Sequence, residues 1–295
     1  MYNNKKIILL AFASTDLIRS AKRLKKEAKN SKFYDEIKIC NNNDFDKDIK
    51  IFINNLIKHD KKRGYCYWIW KPYFIYETFK KLNYGDIIHY TDIGCHIIGE
   101  NYKRFYEYLD MFSDANRWLL PFQYKKDNKT LSEEYEYPNR EEYKFTKSDL
   151  LNYFGCLNDP TVVNTPQYWA GNFFIRKSHD SIRFIKEWLD IFYKRFDLVD
   201  DTPSILNNHL KFVENRHDQS VFSILCKKKN ISSLSAYELD WAILHNKRTW
   251  EHNKYSPILA KRDLEYSIYK RFINRQKKTY RRLKNKYFEK FKTKN

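Results

Sequence analysis

Short apolar segments alternate with amphipathic segments along the first ninety residues, and this alternation limits the fold more than any other feature of the sequence. The apolar run that begins at Ile7 predicts a buried strand over residues 6–12, and residues 15–29 repeat apolar side chains at the helical period. Residues 35–40 and 86–90 predict two more strands. Because strands that alternate with helices form parallel sheets covered by helices, we predict an α/β fold with a mostly parallel central sheet flanked by helices.

The rest of the chain continues this pattern. Lys71-Pro72 suits the first turn of a helix, where proline is tolerated, and Asp218 suits the start of another. A strongly polar stretch at residues 127–147 predicts a flexible insertion. The remaining predicted elements are a loop at 41–46, helices at 48–59, 68–82, 181–196 and 218–228, and a strand at 169–176.

Composition and spacing exclude several classes of protein. No window of the sequence approaches the roughly 18 uninterrupted apolar residues of a membrane span. The apolar stretch after Lys5-Lys6 imitates a signal peptide, but Asp16 and Arg19 follow soon after, so a buried strand is expected instead. The six glycines form neither a GxGxxG nor a P-loop motif. Five widely spaced cysteines without a CxxC pair argue against a disulfide scaffold or zinc ribbon and favour a reducing cytosol.

The formal net charge of +19 is concentrated near the end of the chain. Residues 261–295 hold 14 Lys and Arg but three acids. Apolar side chains recur there at steps of three and four, which predicts a helix with a basic opposite face; they are Leu264, Ile268, Phe272, Tyr280, Leu283, Tyr287 and Phe291. We therefore predict one domain at 1–258 and a basic amphipathic helical tail at 259–295.

Such a tail can lie on an anionic membrane surface, to which each Lys or Arg near the lipid adds about 1 kcal/mol of binding energy. Packing of the apolar stripe on the body and binding to another acidic partner stay open as alternatives. The membrane interpretation predicts a cytoplasmic protein that is peripheral on the inner face of the cell membrane. Nucleic acid is not the expected partner, because no RNP, helix-turn-helix or zinc pattern occurs and the surplus charge is terminal.

Four segments hold the residues that could carry chemistry: Gly64-Tyr-Cys-Tyr-Trp-Ile-Trp-Lys-Pro72, Gly85-Asp-Ile-Ile-His-Tyr-Thr-Asp-Ile-Gly-Cys-His96, Trp169-Ala-Gly-Asn-Phe-Phe-Ile-Arg-Lys177 and Arg216-His-Asp-Gln-Ser220. Asp92 directly follows a predicted strand, and ligands of open α/β sheets bind at the carboxyl ends of strands. A carboxylate there can hold a divalent cation or a sugar hydroxyl. Trp68 and Trp70 offer faces on which sugar rings stack, and Lys71 could neutralise a phosphate.

The order of these segments resembles that of bacterial GT-A-class glycosyltransferases, in particular enzymes of capsule and lipopolysaccharide synthesis. Lipopolysaccharide galactosyltransferases related to glycogenin share the Asn-Ala-Gly strand followed by Asp-Gln. The resemblance covers roughly residues 5–250. It implies a GT-A-like nucleotide-diphospho-sugar transferase fold and a hexosyltransferase. The enzyme would move a sugar, galactose or galactofuranose, from a UDP-linked donor to a growing capsular or lipopolysaccharide glycan.

The same resemblance implies roles for individual residues. Asp92 would be the first acid of a DxD-type motif and would touch metal or the donor ribose. Asp218 and Gln219 would face the donor sugar and the acceptor. The remaining implied contacts are Ser14 and Thr15 near the nucleotide base and a wall of Ala170, Gly171 and Asn172 beside the transferred sugar. From residue type alone, Trp68, Trp70 and His217 are candidate contacts of the sugar or acceptor.

One position departs from the family pattern, because Gly94 stands where the second acid of DxD would be. Two solutions stay open. His96 or His245 could complete an Mn²⁺ or Mg²⁺ site with Asp92, or Lys71 and Arg176 could carry the diphosphate without metal. Both would stabilise the negative charge that develops on the leaving nucleoside diphosphate.

Other interpretations of these residues stay open too. Asp218 could cap the helix that Gln219 continues, since aspartate is favoured at that position, and Trp68 and Trp70 could be core residues. The resemblance to retaining galactosyltransferases and a role of Asp218 as an inverting base predict opposite stereochemistry. Among whole-protein alternatives, a non-catalytic carbohydrate-binding relative ranks above a basic nucleic-acid-binding protein.

Overall fold

The computed structural model describes residues 1–126, 132–264 and 276. Ten strands lie in this part of the chain: β1 (Ile7–Phe12), β2 (Glu36–Cys40), β3 (Ile87–Thr91), β4 (His96–Ile97), β5 (Leu119–Gln123), β6 (Tyr168–Arg176), β7 (Leu234–Ser235), β8 (Ala242–Leu244), β9 (Lys247–Thr249) and β10 (Ile258–Leu259). Its right-handed α-helices are α1 (Ile18–Ser31), α2 (Lys47–Lys58), α3 (Trp70–Phe79), α4 (Tyr102–Asp110), α5 (Glu142–Phe145), α6 (Ser148–Tyr153), α7 (Pro160–Val163), α8 (His179–Lys194) and α9 (Asp218–Lys228).

Six strands form one sheet in the order β2-β1-β3-β6-β5-β7. β1 pairs in parallel with both β2 and β3, and β5 pairs in parallel with β7. β6 runs antiparallel to β3 on one side and to β5 on the other. The prediction of a mixed α/β fold with a mostly parallel central sheet flanked by helices is therefore confirmed.

Each face of the sheet supports its own apolar core, because successive side chains of a strand point to opposite faces. Leu10 and Phe12 of β1 belong to the core beneath α2, α3, α8 and α9. Ile7 and Leu9 belong to the core beneath α1 and α4. All six residues of β1 are buried, as expected for a parallel strand that helices cover on both sides.

The predicted flexible insertion at 127–147 is wrong for its second half, residues 140–147. Glu142 is fully buried and pairs with Lys227 at 2.6 Å between Oε2 and Nζ. The guanidinium of Arg140 lies 4.1 Å from the ring centre of Tyr124. Polar composition suggested solvent exposure, but polar groups can be buried where they satisfy one another. Residues 127–131 lie outside the described part of the chain.

The end of the described chain packs on the body. β10 pairs with β4 in antiparallel fashion, and Ala260 beyond it is buried. The predicted helical tail lies outside the described residues, except for its start at 259–264, which is not helical, and residue 276, so both the helix beyond and the domain boundary stay predictions. Within the described residues, no helix combines the length and the apolar character needed to cross a bilayer.

Candidate functional site

A cavity of about 840 Å³ opens at the carboxyl ends of the parallel strands. Ser14 follows β1, Asn42 follows β2 and Asp92 directly follows β3, and all three line the cavity. This is the edge at which open α/β sheets bind ligands. The volume lies within the roughly 300–1,000 Å³ that is typical of small-molecule sites.

A buried lysine joins two carboxylates on the cavity wall. Lys71 Nζ lies 2.8 Å from Asp218 Oδ2 and 3.4 Å from Asp92 Oδ1. The same Nζ donates a hydrogen bond to the carbonyl of Ala170 at 3.2 Å. The side chains of Lys71 and Asp218 are 4% and 5% exposed, whereas that of Asp92 is 36% exposed. One ammonium group therefore pairs with two carboxylates, and Asp92 is the carboxylate that is more accessible to a ligand.

Burial and charge set the protonation of this group. Burial raises the pKa of Asp218 to about 6, even though Lys71 opposes the rise, and the nearby Asp92 carboxylate adds to it. Burial alone would lower the pKa of Lys71, but attraction to Asp218 and Asp92 outweighs it and holds that pKa above its ordinary value. Lys71 thus stays charged while Asp218 exchanges its proton near pH 6, which suits a general base or acid.

Local structure explains why these three side chains meet. Lys71 lies in the first turn of α3 and Asp218 is the first residue of α9. Asp92 is fixed by its own backbone, whose N–H donates to the carbonyl of Gly171 at 2.8 Å, and by the Tyr90 hydroxyl, which donates to its Oδ1 at 2.8 Å. A carboxylate at a helix N-terminus is favoured by the helix dipole, so the position of Asp218 is consistent with its ionised form.

A left-handed turn precedes Lys71. Gly64 and the next four residues, through Trp68, all have φ between 54° and 65°. Each left-handed residue other than glycine costs roughly 1–2 kcal/mol, so the turn persists only because its surroundings hold it. The indole of Trp68 folds back over Gly64, where a Cβ would lie 2.7 Å from the ring. Trp70 Nε1 also donates to the Gly64 carbonyl at 3.1 Å. The predicted helix at 68–82 is therefore shorter than expected.

A second strained residue faces this turn. His217, with φ 55° and ψ −118°, is the N-cap of α9, so the alternative of Asp218 as that cap is wrong. The His217 ring stacks on Trp68 with centres 5.6 Å apart, and its Nδ1 lies 2.6 Å from the carbonyl oxygen of Val199. Strained backbone that is held by its neighbours is typical of functional sites. The two strained segments together form an aromatic part of the cavity wall.

Five Lys and Arg side chains and four Asp and Glu side chains line the cavity. Arg216 and Arg262 both line it. Burial lowers the pKa of the Arg216 guanidinium, and the nearby Arg140 and Arg262 lower it further. The Nε of Arg216 is buried and has no hydrogen-bond partner among the described residues, although the guanidinium reaches Glu214 at 3.5 Å. Cations that crowd one another in this way favour an anionic ligand.

Most of the predicted site residues meet at this cavity. Those that line it are Ser14, Thr15, Trp68, Trp70, Lys71, Asp92, Gly171, His217, Asp218 and Gln219. Ala170 contributes through its carbonyl to Lys71. Asn172 does not line the cavity: it is fully buried, and its Nδ2 donates to Thr91 Oγ1 at 2.9 Å inside the sheet. The expected wall therefore lacks its third residue.

Arg176 lies at the opposite end of the strands from the cavity, so its predicted contact with a diphosphate there is wrong. It pairs with Ile87 at the start of β3, whereas Asp92 follows the end of that strand. Five residues of strand separate Arg176 from Gly171, or about 17 Å at roughly 3.4 Å per residue. Its guanidinium instead donates to the carbonyls of Phe112, Asp114 and Ala115.

The three predicted metal ligands are not brought together. His96 contacts Glu27 at 2.9 Å and Arg23 at 2.8 Å, and His245 lies at the turn between β8 and β9. Neither lines the cavity with Asp92. Among the described residues there is no group of three or more His, Cys, Asp or Glu side chains placed to hold a metal ion. The Lys71 ammonium also lies between the two carboxylates, so this donor set does not fit a resident divalent cation.

Gly94 has a packing role. A Cβ at Gly94 would lie 2.9 Å from the Cα of Arg262, and the Asp263 N–H donates to the Gly94 carbonyl at 2.9 Å. An acid at the second DxD position would therefore displace the segment that brings Arg262 to the cavity.

Sequence reasoning missed several cavity residues. Arg216 lies inside one of the four segments, two residues before Asp218, so its place near a predicted acid was an available signal. Asn42, whose Oδ1 accepts from the Thr15 N–H at 3.0 Å, lies in a loop that was predicted only as polar. Arg262 gave no signal, since it is far from the other residues in sequence.

Comparison with known proteins gives no further guide: a scan against protein-family models finds no matching family, and a search of curated proteins finds no match.

Proposed function

We propose that the chain is a glycosyltransferase of GT-A-like fold that moves a sugar from a nucleoside-diphosphate donor to a glycan acceptor of the capsular or lipopolysaccharide kind. The observation that carries the proposal is the pairing of the buried Lys71 with Asp218 and Asp92 on the wall of a cavity at the carboxyl ends of the parallel strands, a wall that Arg216 and Arg262 also line. Sugar transfer requires a base for the acceptor hydroxyl and cations for the leaving diphosphate. Asp218, with a pKa of about 6, and the arginines of the cavity are suited to these two roles.

In this proposal the donor extends along the cavity from the carboxyl ends of β1 and β2 to Arg216 and Arg262. Ser14 and Asn42 face the base and ribose at the ends of β1 and β2. Asp92, the more exposed acid, accepts from hydroxyl groups of the ribose or donor sugar. Arg216 and Arg262 bind the diphosphate. Its negative charge offsets the repulsion between the two guanidinium groups. UDP is the expected nucleotide, by the family resemblance of the sequence.

The acceptor occupies the aromatic side of the cavity. Trp68 is partly exposed there and is backed by the His217 ring, which holds the indole in place. Sugar rings bury their apolar faces on such indoles, while their hydroxyls stay available to polar groups. An acceptor bound in this way would have a hydroxyl near Asp218, which follows His217 directly in the chain.

The transfer step uses Asp218 as general base. The Asp218 carboxylate takes the proton of the acceptor hydroxyl as the oxygen bonds to the anomeric carbon of the donor sugar. The bond from that carbon to the diphosphate oxygen breaks, and the nucleoside diphosphate leaves with the electron pair. Arg216 and Arg262 balance the new negative charge, while Lys71 holds Asp218 ionised and oriented. Attack from the face opposite the leaving group inverts the anomeric configuration.

The test is turnover of a panel of nucleotide sugars, followed as release of nucleoside diphosphate with and without simple glycan acceptors. We expect one donor to be consumed, and Asp92→Asn or Asp218→Asn to slow its turnover about 100-fold or more. Asp190→Asn is the matched control, because Asp190 is an exposed carboxylate on α8 that pairs with Lys194. Near-normal rates in both cavity variants, or no donor consumed by the wild type, would contradict the proposal.

A further inference from the structure

A rim loop, residues 202–213, precedes the cavity residue Glu214 and exposes apolar side chains. Ile205 is 94% exposed, Val213 is 67% exposed and Leu210 is fully exposed. The loop holds one charged residue and no acid, in a chain in which 32% of the residues are charged. Its surface is therefore unlike the polar surface of the rest of the protein.

The backbone of the rim loop is anchored while these side chains face solvent. The carboxylate of Asp149 accepts from the N–H groups of Ile205 and Leu206 at 2.7 and 2.9 Å. The N–H of Val213 donates to the carbonyl of Lys144 at 2.8 Å. Because both ends of the loop are held, its apolar side chains cannot readily turn inward. Their exposure is therefore a stable feature of the fold, and it indicates a binding partner.

Both flanks of the rim loop are tied to the mouth of the cavity. Arg63, a cavity residue, reaches Asp201 before the loop at 2.7 Å and Glu214 after it at 3.9 Å. These contacts place the loop beside the opening. They also neutralise the acids that flank the loop, so that the rim does not repel a negatively charged partner.

The basic end of the chain starts at the same opening. Leu264 lines the cavity, and the chain continues from it into residues 265–295, whose sequence has twelve Lys and Arg and two acids. Exposed aliphatic side chains in a chain that also carries a strongly basic segment are a combination that binds anionic lipid, since the apolar groups insert while the cations meet the headgroups.

We propose that the rim loop inserts into the surface of an anionic bilayer and holds the cavity mouth against the lipid. A bilayer accepts separate, outward-pointing aliphatic side chains without a complementary surface, and it matches the charge of the segment that follows Leu264. The inference does not rest on the transferase proposal, because binding to vesicles is measured without donor or acceptor, so the two can fail separately.

A fluorescent probe on the loop tests this directly. All five native cysteines are buried, so Leu210→Cys can be labelled selectively with a polarity-sensitive dye. With phosphatidylglycerol vesicles we expect a blue shift of the emission and quenching by nitroxide-labelled lipids. Ile51→Cys is the matched control, because Ile51 lies on α2 and is 60% exposed. Its label should keep the emission of an aqueous probe.

The strength of binding to vesicles is the second test. Ile205→Ser combined with Leu210→Ser should weaken sedimentation with phosphatidylglycerol vesicles about tenfold or more, while Ile51→Ser should not. If the chain sediments with vesicles but the Leu210→Cys probe stays in water, another segment binds the lipid and the proposal is wrong. It is equally wrong if the probe shifts without vesicles as the protein concentration rises, because a second copy then covers the loop.

Discussion

Lys71 and Asp218 form an ion pair in the interior of the protein, with 2.8 Å between Nζ and Oδ2 and almost no exposure of either side chain. Asp92 is the second carboxylate on the same ammonium. A buried ion pair adds little net stability, but the loss of one partner leaves an uncompensated charge that is costly. The arrangement is therefore better explained as a device that fixes the position and protonation of two acids than as a source of stability.

Removal of the cation should destabilise the fold. Lys71→Met leaves Asp92 and Asp218 facing each other without compensation, so we expect a loss of about 3–5 kcal/mol in the free energy of unfolding. The double variant Lys71→Met/Asp218→Asn removes one of the two charges and should recover a large part of that loss. Urea unfolding of the three proteins measures both differences. An unchanged midpoint for Lys71→Met would show that the pair is absent in solution.

The pH profile of turnover should report Asp218. Its raised pKa of about 6 means that the carboxylate is available as a base above that pH and is protonated below it. We therefore expect kcat/KM to fall as pH decreases through about 6 in the wild type, and this acid limb to be absent in Asp218→Asn, whose residual rate is about 100-fold lower. Steady-state kinetics between pH 5 and pH 8 test this. An acid limb that persists in the variant would assign it to another group.

Stability should depend on pH through the same residue, with the opposite sign to that of most carboxylates. Between the ordinary aspartate pKa of 3.8 and about 6, the native protein holds a proton on Asp218 that the unfolded chain lacks. Stability is therefore lost as pH rises through this range. The loss is about 3 kcal/mol at roughly 1.4 kcal/mol per pKa unit. The wild type minus Asp218→Asn difference in unfolding free energy isolates this effect. A difference that is flat between those two pH values would contradict it.

The left-handed turn should be sensitive to a single methyl group. Gly64 and Gly155 both have positive φ, 54° and 67°, so an alanine at either position costs about 1 kcal/mol in backbone strain. Only at Gly64 would the new Cβ also strike the Trp68 ring. We expect Gly64→Ala to lose at least 1 kcal/mol more than Gly155→Ala on unfolding in urea, and to weaken ligand binding, because the ring lines the cavity. Equal losses would show that the indole does not rest on Gly64.

Much of the fold could be predicted from the sequence because its signals are local. Residues 7–12 are apolar enough to require burial on both faces of the sheet, and α9 begins and ends where predicted, at Asp218 and Lys228. The expected insertion failed for residues 140–147 because Glu142 finds its partner Lys227 in a distant helix. In the sequence, a charged residue that is neutralised by a distant partner looks the same as one that is solvated by water.

The site could be predicted in part for the same reason. Asp92 and Asp218 were found because each stands at the boundary of an element, where function concentrates. The burial of Lys71 and the left-handed turn before it could not be found, since aromatic residues at helical spacing predict a longer helix. Arg262 reaches the cavity through long-range packing on Gly94, which one sequence does not reveal.

Binding of nucleoside diphosphates tests the central claim most directly. The melting temperature of the protein is measured with UDP, GDP, CDP and CMP, each with Mn²⁺ or with EDTA, for the wild type, Arg216→Gln and the matched exposed variant Arg183→Gln. A ligand at 100 times its Kd adds about 2.7 kcal/mol, which raises the melting temperature by several degrees at this size. We predict that UDP gives such a shift in the wild type and in Arg183→Gln, that EDTA leaves it unchanged, and that Arg216→Gln loses most of it. No shift with any nucleotide, or a full shift in Arg216→Gln, would contradict a diphosphate site in this cavity.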